Sequence, residues 1–254
     1  MQSEVTRIVS GGVDLAVYDE GEGTPILLIH GFASSAKANW YEPGWVKFLR
    51  EAGYRVISFD NRGHGKSAKL YAPELYTAPA MAWDAAAIIE QLGIGPVHVM
   101  GYSMGARITA FLTMQTPKLV KTAVLAGLAE NMIKGVPGSE TVAQGLEASS
   151  LDDVSDPQAR AFRIFADRTG SDRDALAACM RAARQKIPEA ELSVIVCPVL
   201  VAAGTEDDIA GEIAPLQEAI TGAEALPIPR RDHMRAVGDK VYMDGVLRFL
   251  QRHG

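Results

Sequence analysis

The sequence predicts an α/β protein, a mostly parallel β-sheet covered by helices on both faces. Three observations carry this. Short solid apolar runs, such as "PILLI" at 25–29 and "CPVLVAAG" at 197–204, read as strands buried on both sides. Apolar residues between such runs recur at helical spacing, as in Met81, Ala85, Ile88, Ile89 and Leu92. The two patterns alternate along most of the 254 residues, a length that allows one large domain or two small ones.

Val5–Ser10 and Val13–Tyr18 alternate polar and apolar residues around Gly11-Gly12, the pattern of a hairpin. The strand Pro25–Ile29 ends at His30-Gly31. Trp45, Phe48 and Leu49 share one helical face, and Gly53 ends that helix. Arg55–Phe59 is the next strand and leads through Asp60 into the loop "NRGHGKS". The helix around Met81–Leu92 is closed by Gly93. Val97–Met100 is a strand, a helix runs from Ser103 to about Gln115, and Val120–Leu125 is a further strand. After Leu128 the rhythm breaks. Residues 129–192 hold no strand-like run but two helical patterns, Asp156–Arg168 and Asp172–Lys186. The sheet resumes at Cys197–Gly204, followed by a helix over 212–220, a strand at Ala225–Ile228 and a last helix over Val237–Gln251. The expected organisation is a core of residues 1–128 and 193–254, with 129–192 inserted as a helical cap.

Composition narrows the function classes. Hydrophobic residues make up 48% and charged residues 22%, enough apolar mass for a large core. A formal net charge of −6 argues against nucleic acid or an anionic membrane as partner. Cys179 and Cys197 form no CxxC pair, so neither a zinc nor a redox site is expected. The N-terminal stretch lacks the basic start and apolar core of a signal peptide, and no run is long enough to span a membrane. The expectation is a cytoplasmic protein without cofactor or metal that acts on a small molecule; the sequence leaves its oligomeric state open.

The stretch "HVMGYSMGAR" at 98–107 places Ser103 between two glycines where a strand ends and a helix begins. Two readings compete: a helix N-cap, or a nucleophile raised on a tight bend beside a helix N-terminus. With 24 glycines, a chance G-x-S-x-G is roughly a one-in-ten accident, so the pattern alone is a modest hint that its placement sharpens. A serine nucleophile needs a histidine base oriented by a carboxylate. Of the five histidines, His253 lies in the tail, His98 sits inside a strand, and His30 and His64 precede the serine. His233, in the loop after the last strand, is the base candidate in the order serine, acid, histidine. The acid is one of Glu206, Asp207 and Asp208 in "VAAGTEDDIAG". Three consecutive carboxylates on a short turn cannot converge on one metal.

"HGF" at 30–32, "DNRGHGKS" at 60–67, "GYSMGA" at 101–106, "GTEDD" at 204–208 and His233 together resemble the α/β-hydrolase superfamily, in family order across nearly the whole chain. The resemblance implies an eight-stranded, mostly parallel sheet. It also implies Ser103 as nucleophile, His233 as general base and Asp207 as orienting acid, with Asp208 the alternative. The backbone N–H groups of Phe32 and Met104 would form the oxyanion hole. The side chains of Phe32, Met104, Tyr102 and Trp40 are candidate pocket residues. His30 and His64 are expected to hold loops, and Arg62 and Arg107 to form salt bridges.

The resemblance implies hydrolysis of a small carboxylic ester, lactone or thioester. Branches that open carbon–halogen bonds or epoxides need an aspartate where Ser103 stands. The mixed charges of the insertion, Asp152, Asp153, Asp156 and Asp167 against Arg160, Arg163, Arg168 and Arg181, suggest a solvated cap over a small pocket that prefers short acyl chains. "HGFASS" and "GYSMGAR" also resemble the menaquinone-pathway synthase of the superfamily, a lyase in which Arg160 or Arg163 would bind carboxylates. Against it, Ala106 stands where that group has glycine, and the segment after His233 matches poorly. A third alternative is a slow-turnover ligand receptor on the same scaffold.

Overall fold

The structure is a computed structural model that describes residues 5–182 and 185–254. Eight strands form one sheet: β1 (Thr6–Ser10), β2 (Val13–Glu20), β3 (Thr24–Ile29), β4 (Tyr54–Phe59), β5 (Val97–Tyr102), β6 (Val120–Ala126), β7 (Val199–Gly204) and β8 (Glu224–Ile228). Their order is β1-β2-β4-β3-β5-β6-β7-β8. The β1–β2 and β2–β4 pairs are antiparallel, and the other pairs are parallel. This is the eight-stranded, mostly parallel α/β-hydrolase sheet that the motifs imply.

Strand β3 shows why the sheet needs two covers. Ile26, Leu27, Leu28 and Ile29 are all fully buried, yet consecutive side chains point to opposite faces. Leu27 and Ile29 join one core with α2 (Ala78–Leu92) and α3 (Met104–Gln115). Ile26 and Leu28 join the other, with α1 (Trp45–Glu51) and α11 (Lys240–Arg252). Each such side chain contributes about 1.5–3 kcal/mol on leaving water, so a continuous apolar run is stable only between two helical layers. Helix α2 starts at the Thr77 cap, whose Oγ1 accepts from Ala80 N, and ends at Gly93 in the left-handed region.

Between β6 and β7 the described residues form only helices: α4 (Glu130–Lys134), α5 (Ser139–Glu147), α6 (Pro157–Thr169), α7 (Arg173–Ala182) and α8 (Glu189–Leu192), with a short 3₁₀ turn at Leu151–Asp153. The sequence pattern shows only α6 and α7, because α4 and α8 are too short to set up a periodicity. Residues 183 and 184 of the helix expected over 172–186, and the first four residues of the N-terminal stretch, lie outside the described residues. Val142, Leu146, Ala159, Ala166, Leu176 and Met180 give α5, α6 and α7 a small core of their own. The charges of this segment satisfy one another and the backbone. Arg163 donates to Gly145 O and Ala148 O and pairs with Asp167, and Arg181 pairs with Glu140 and Glu147.

Past β7, α9 (Ile213–Ala219) leads to β8. The helix expected over 237–251 is α11, and a separate one-turn helix, α10 (His233–Ala236), precedes it. Asp239 separates them, because its side chain accepts from Val241 N and so caps a new start.

Candidate active site

Ser103 sits at the join of β5 and α3 with φ +56 and ψ −114. Its side chain makes no capping bond to the helix, so the N-cap reading fails. A sparsely populated backbone conformation at a non-glycine residue needs its surroundings to hold it. Here Ser103 N donates to Ala126 O at 2.7 Å, and the flanking glycines let the chains touch. A Cβ on Gly105 would lie 2.0 Å from Ile29 O, and one on Gly101 would lie 2.1 Å from Gly105 O. Glycine at both places is the condition for the bend.

The bend aims the hydroxyl at His233, the first residue of α10, which Asp232 caps through Met234 N and Arg235 N. Ser103 Oγ lies 3.1 Å from His233 Nε2. His233 Nδ1 lies 2.9 and 3.0 Å from the two carboxylate oxygens of Asp207. A carboxylate only accepts, so Nδ1 carries the proton and Nε2 presents a lone pair to the serine hydroxyl. Asp207 follows β7 by three residues, and its side chain is 0% exposed. Its Oδ1 also accepts from Ile209 N at 3.1 Å and Ala210 N at 2.9 Å. Glu206 and Asp208 point to solvent. Of the three candidate acids the structure brings only Asp207 to His233.

The loop after β3 approaches from the other side: a Cβ on Gly31 would lie 3.4 Å from Ser103 Cβ. Side chains hold this loop by its amides. Gly31 N donates to Asn39 Oδ1 at 3.0 Å, and Ala33 N donates to His64 Nε2 at 3.2 Å. Burial lowers the His64 pKa to about 3, with the neighbouring His30 adding to the effect, and burial lowers His30 to about 4. Both rings are neutral. His64 donates from Nδ1 to Arg62 O, and His30 from Nδ1 to Gly31 O, which leaves each Nε2 to accept from a backbone N–H. The Phe32 and Met104 N–H groups have no acceptor among the described residues. As expected, Arg62 forms a salt bridge, bidentate to buried Asp84 at 2.7 Å. Arg107 donates to Asn131 O.

A cavity of about 750 Å³ opens above Ser103. Phe32, Met104 and Tyr102 line it, with Phe162, Phe165 and Met180 from the helical segment. Phe32 packs edge-on against both His64 and Phe162. Trp40 does not line the cavity, which corrects the reading of it as a pocket residue. Its ring is fully buried against Trp45 under the sheet, where a large apolar side chain gains most. The volume is also larger than the mixed charges of 129–192 imply. Arg163 is buried against backbone carbonyls and Arg168 stands at the cavity wall, and α6 shows the cavity the apolar face of Ala161, Phe162 and Phe165. The i, i+3 spacing of Phe162 and Phe165 was the available signal for it. Asn39 and the Tyr102 hydroxyl carried no such signal, since their partners depend on the tertiary fold.

Sheet order and helical layers define an α/β-hydrolase-like protein. The family model described as alpha/beta hydrolase fold matches residues 24–149. The (E)-2-((N-methylformamido)methylene)succinate hydrolase of Acinetobacter baylyi is 33% identical over 204 residues, 75% of this chain and 75% of that protein. The chain belongs to the α/β-hydrolase fold family. BpoC of Mycobacterium tuberculosis, a protein that carries a non-heme bromoperoxidase name, is 42% identical over 113 residues, 44% of this chain. That match spans only 41% of BpoC. The crystal structure of the enol-lactonase from Burkholderia xenovorans superposes with a TM-score of 0.81 at 21% identity, over 97% of this chain and 100% of that one, a likeness of fold. No helix among the described residues is long and apolar enough to cross a membrane.

Proposed function

We propose that this protein is a serine hydrolase that cleaves a carboxylic ester, lactone or thioester through an acyl-enzyme on Ser103. The hydrogen-bonded relay from Ser103 through His233 to buried Asp207 carries the reading. His233 Nε2 takes the hydroxyl proton as Oγ attacks the carbonyl carbon, and Asp207 stabilises the imidazolium that forms. The oxyanion forms beside the unoccupied N–H groups of Phe32 and Met104, and such donors each lower the barrier by about 3–4 kcal/mol. Nε2 then returns the proton to the departing alcohol. Water, deprotonated by the same nitrogen, releases the acid. Residues 129–192 act as a cap over a core of 1–128 and 193–254, and their apolar inner face receives the body of the substrate.

The lyase alternative loses its proposed carboxylate ligands, because Arg160 donates to Leu151 O and Arg163 is held by Gly145, Ala148 and Asp167. Arg107 and Arg168 do reach the cavity wall, and the Acinetobacter relative carries a succinate hydrolase name. An acyl group bearing its own carboxylate therefore belongs in the substrate panel beside neutral ones. The test is labelling by a fluorophosphonate, followed by turnover of p-nitrophenyl alkanoates and the hemisuccinate. Wild type is expected to be labelled and to hydrolyse esters, and Ser103→Ala to do neither. Full labelling of Ser103→Ala would falsify the assignment. Labelling of wild type without turnover would favour the receptor.

A further inference from the structure

We infer that Tyr102 is a positioning residue for His233, tying the residue before the nucleophile to the backbone of the base. The phenol hydroxyl donates to the His233 carbonyl oxygen at 2.5 Å across 131 residues of sequence. This bond meets a need. Helix α10 is a single turn, so all its carbonyls are among those a helix leaves without an internal partner. Asp232 satisfies the amides at the start of the turn, and Tyr102 holds the carbonyl of the residue that carries the imidazole. The Tyr102 ring also packs beside that imidazole, with centroids 5.4 Å apart.

The ring itself has no freedom. It is only 5% exposed, and it lies over Gly127, where a Cβ would stand 2.7 Å from Tyr102 Cζ. Gly127 has φ +64, so that position is closed to a side chain on two grounds. Burial raises the Tyr102 pKa well above its ordinary value, so the hydroxyl keeps its proton at neutral pH. The hydroxyl therefore acts through His233, although the ring edge also borders the cavity.

Tyr242 supplies a matched control in the same aromatic cluster. Its ring centroid is 6.3 Å from that of Tyr102, it is fully buried, and its hydroxyl has no hydrogen-bond partner among the described residues. The experiment compares Tyr102→Phe and Tyr242→Phe in fluorophosphonate labelling rate, kcat, KM and thermal midpoint. A displacement of the base by a fraction of an ångström to one ångström costs about ten- to a hundredfold in rate. Tyr102→Phe is expected to lose that much in labelling rate and kcat with KM nearly unchanged, while Tyr242→Phe matches wild type. Gly127→Ala, which pushes the ring aside without removing the hydroxyl, is expected to reproduce the kcat loss. Equal rates for Tyr102→Phe and wild type would overturn the inference, as would equal losses in both tyrosine variants or a rise in KM alone. This role rests on the serine hydrolase reading. Failure of the wild type to be labelled overturns that reading and the role with it, whereas a labelled wild type matched by Tyr102→Phe overturns the role alone.

Discussion

Replacing Asp207 by asparagine exchanges one oxygen for an NH2 group and leaves the shape of the side chain intact. The structure decides which atom becomes which. Oδ1 accepts from Ile209 N and Ala210 N, so that position must remain an oxygen. The amide nitrogen then takes the place of Oδ2, 2.9 Å from His233 Nδ1. Two donors cannot share that contact, and Oδ1, 3.0 Å from Nδ1, is already taken by two amides, so Nδ1 becomes the acceptor and the ring proton moves to Nε2. Nε2, 3.1 Å from Ser103 Oγ, then offers a proton where it must accept one. The expected loss in kcat is about 10⁴-fold, or about 5.5 kcal/mol of barrier. The residual rate comes from binding and the oxyanion donors. The assay is p-nitrophenyl ester turnover, with thermal midpoints to show that both variants fold. Asp208→Asn, whose carboxylate faces solvent, serves as the control and should stay near wild type. An Asp207→Asn enzyme that keeps about a tenth of wild-type kcat, or outperforms Asp208→Asn, refutes the tautomer argument.

Phe162→Ala should move the best acyl chain toward greater length, since each newly buried methylene adds about 0.8 kcal/mol, or about fourfold in kcat/KM, until the cavity is full; an unchanged optimum across the ester series counts against Phe162 as cavity wall. Asp84→Ala should lower stability by about 3–5 kcal/mol in urea unfolding, because the buried Arg62 guanidinium loses its bidentate partner, and a loss under about 1 kcal/mol would show that water reaches the site. Acid should also unfold the protein early. His30, His64 and His98 are buried, with pKa values lowered by that burial to about 4, 3 and 4. The unfolded chain binds their protons near pH 6.5, so the stability they confer is complete above that pH and drains as pH falls toward 4, at about 1.4 kcal/mol per unit for each ring. Urea midpoints should drop between pH 7 and pH 5, and a flat profile there would contradict neutral burial.

The sequence shows the strands most clearly because a strand buried on both faces has no polar alternation, and "PILLI" and "CPVLVAAG" are such runs. Ser103, Asp207 and His233 are legible for a different reason: each lies at a fixed place relative to a strand end, and the contact among them follows from sheet order. The helical segment over 129–192 is less legible. Its charges stand out in sequence, but Arg163 and Arg181 are occupied by carbonyls and carboxylates, while cavity contacts fall to Phe162, Phe165 and Met180. Trp40 misled because an aromatic residue near a reactive loop looks like a pocket wall, and only packing shows which way it turns. The hold of His64 on Ala33 and of Tyr102 on His233 joins residues 31 and 131 positions apart, and no local pattern encodes such pairs.

Ser103 and His233 stand 130 positions apart, with three strands and the whole helical segment between them. Under the proposed mechanism the hydroxyl on its bend is inert until β7, β8 and α10 have docked against the sheet, because the proposed base and its acid arrive with those last elements. Reactivity is thus a property of completed molecules. Stoichiometric titration with a covalent phosphonate would count the fraction of a preparation whose residues from β7 onward are seated. A chain arrested earlier, however helical by spectroscopy, would remain silent in that count.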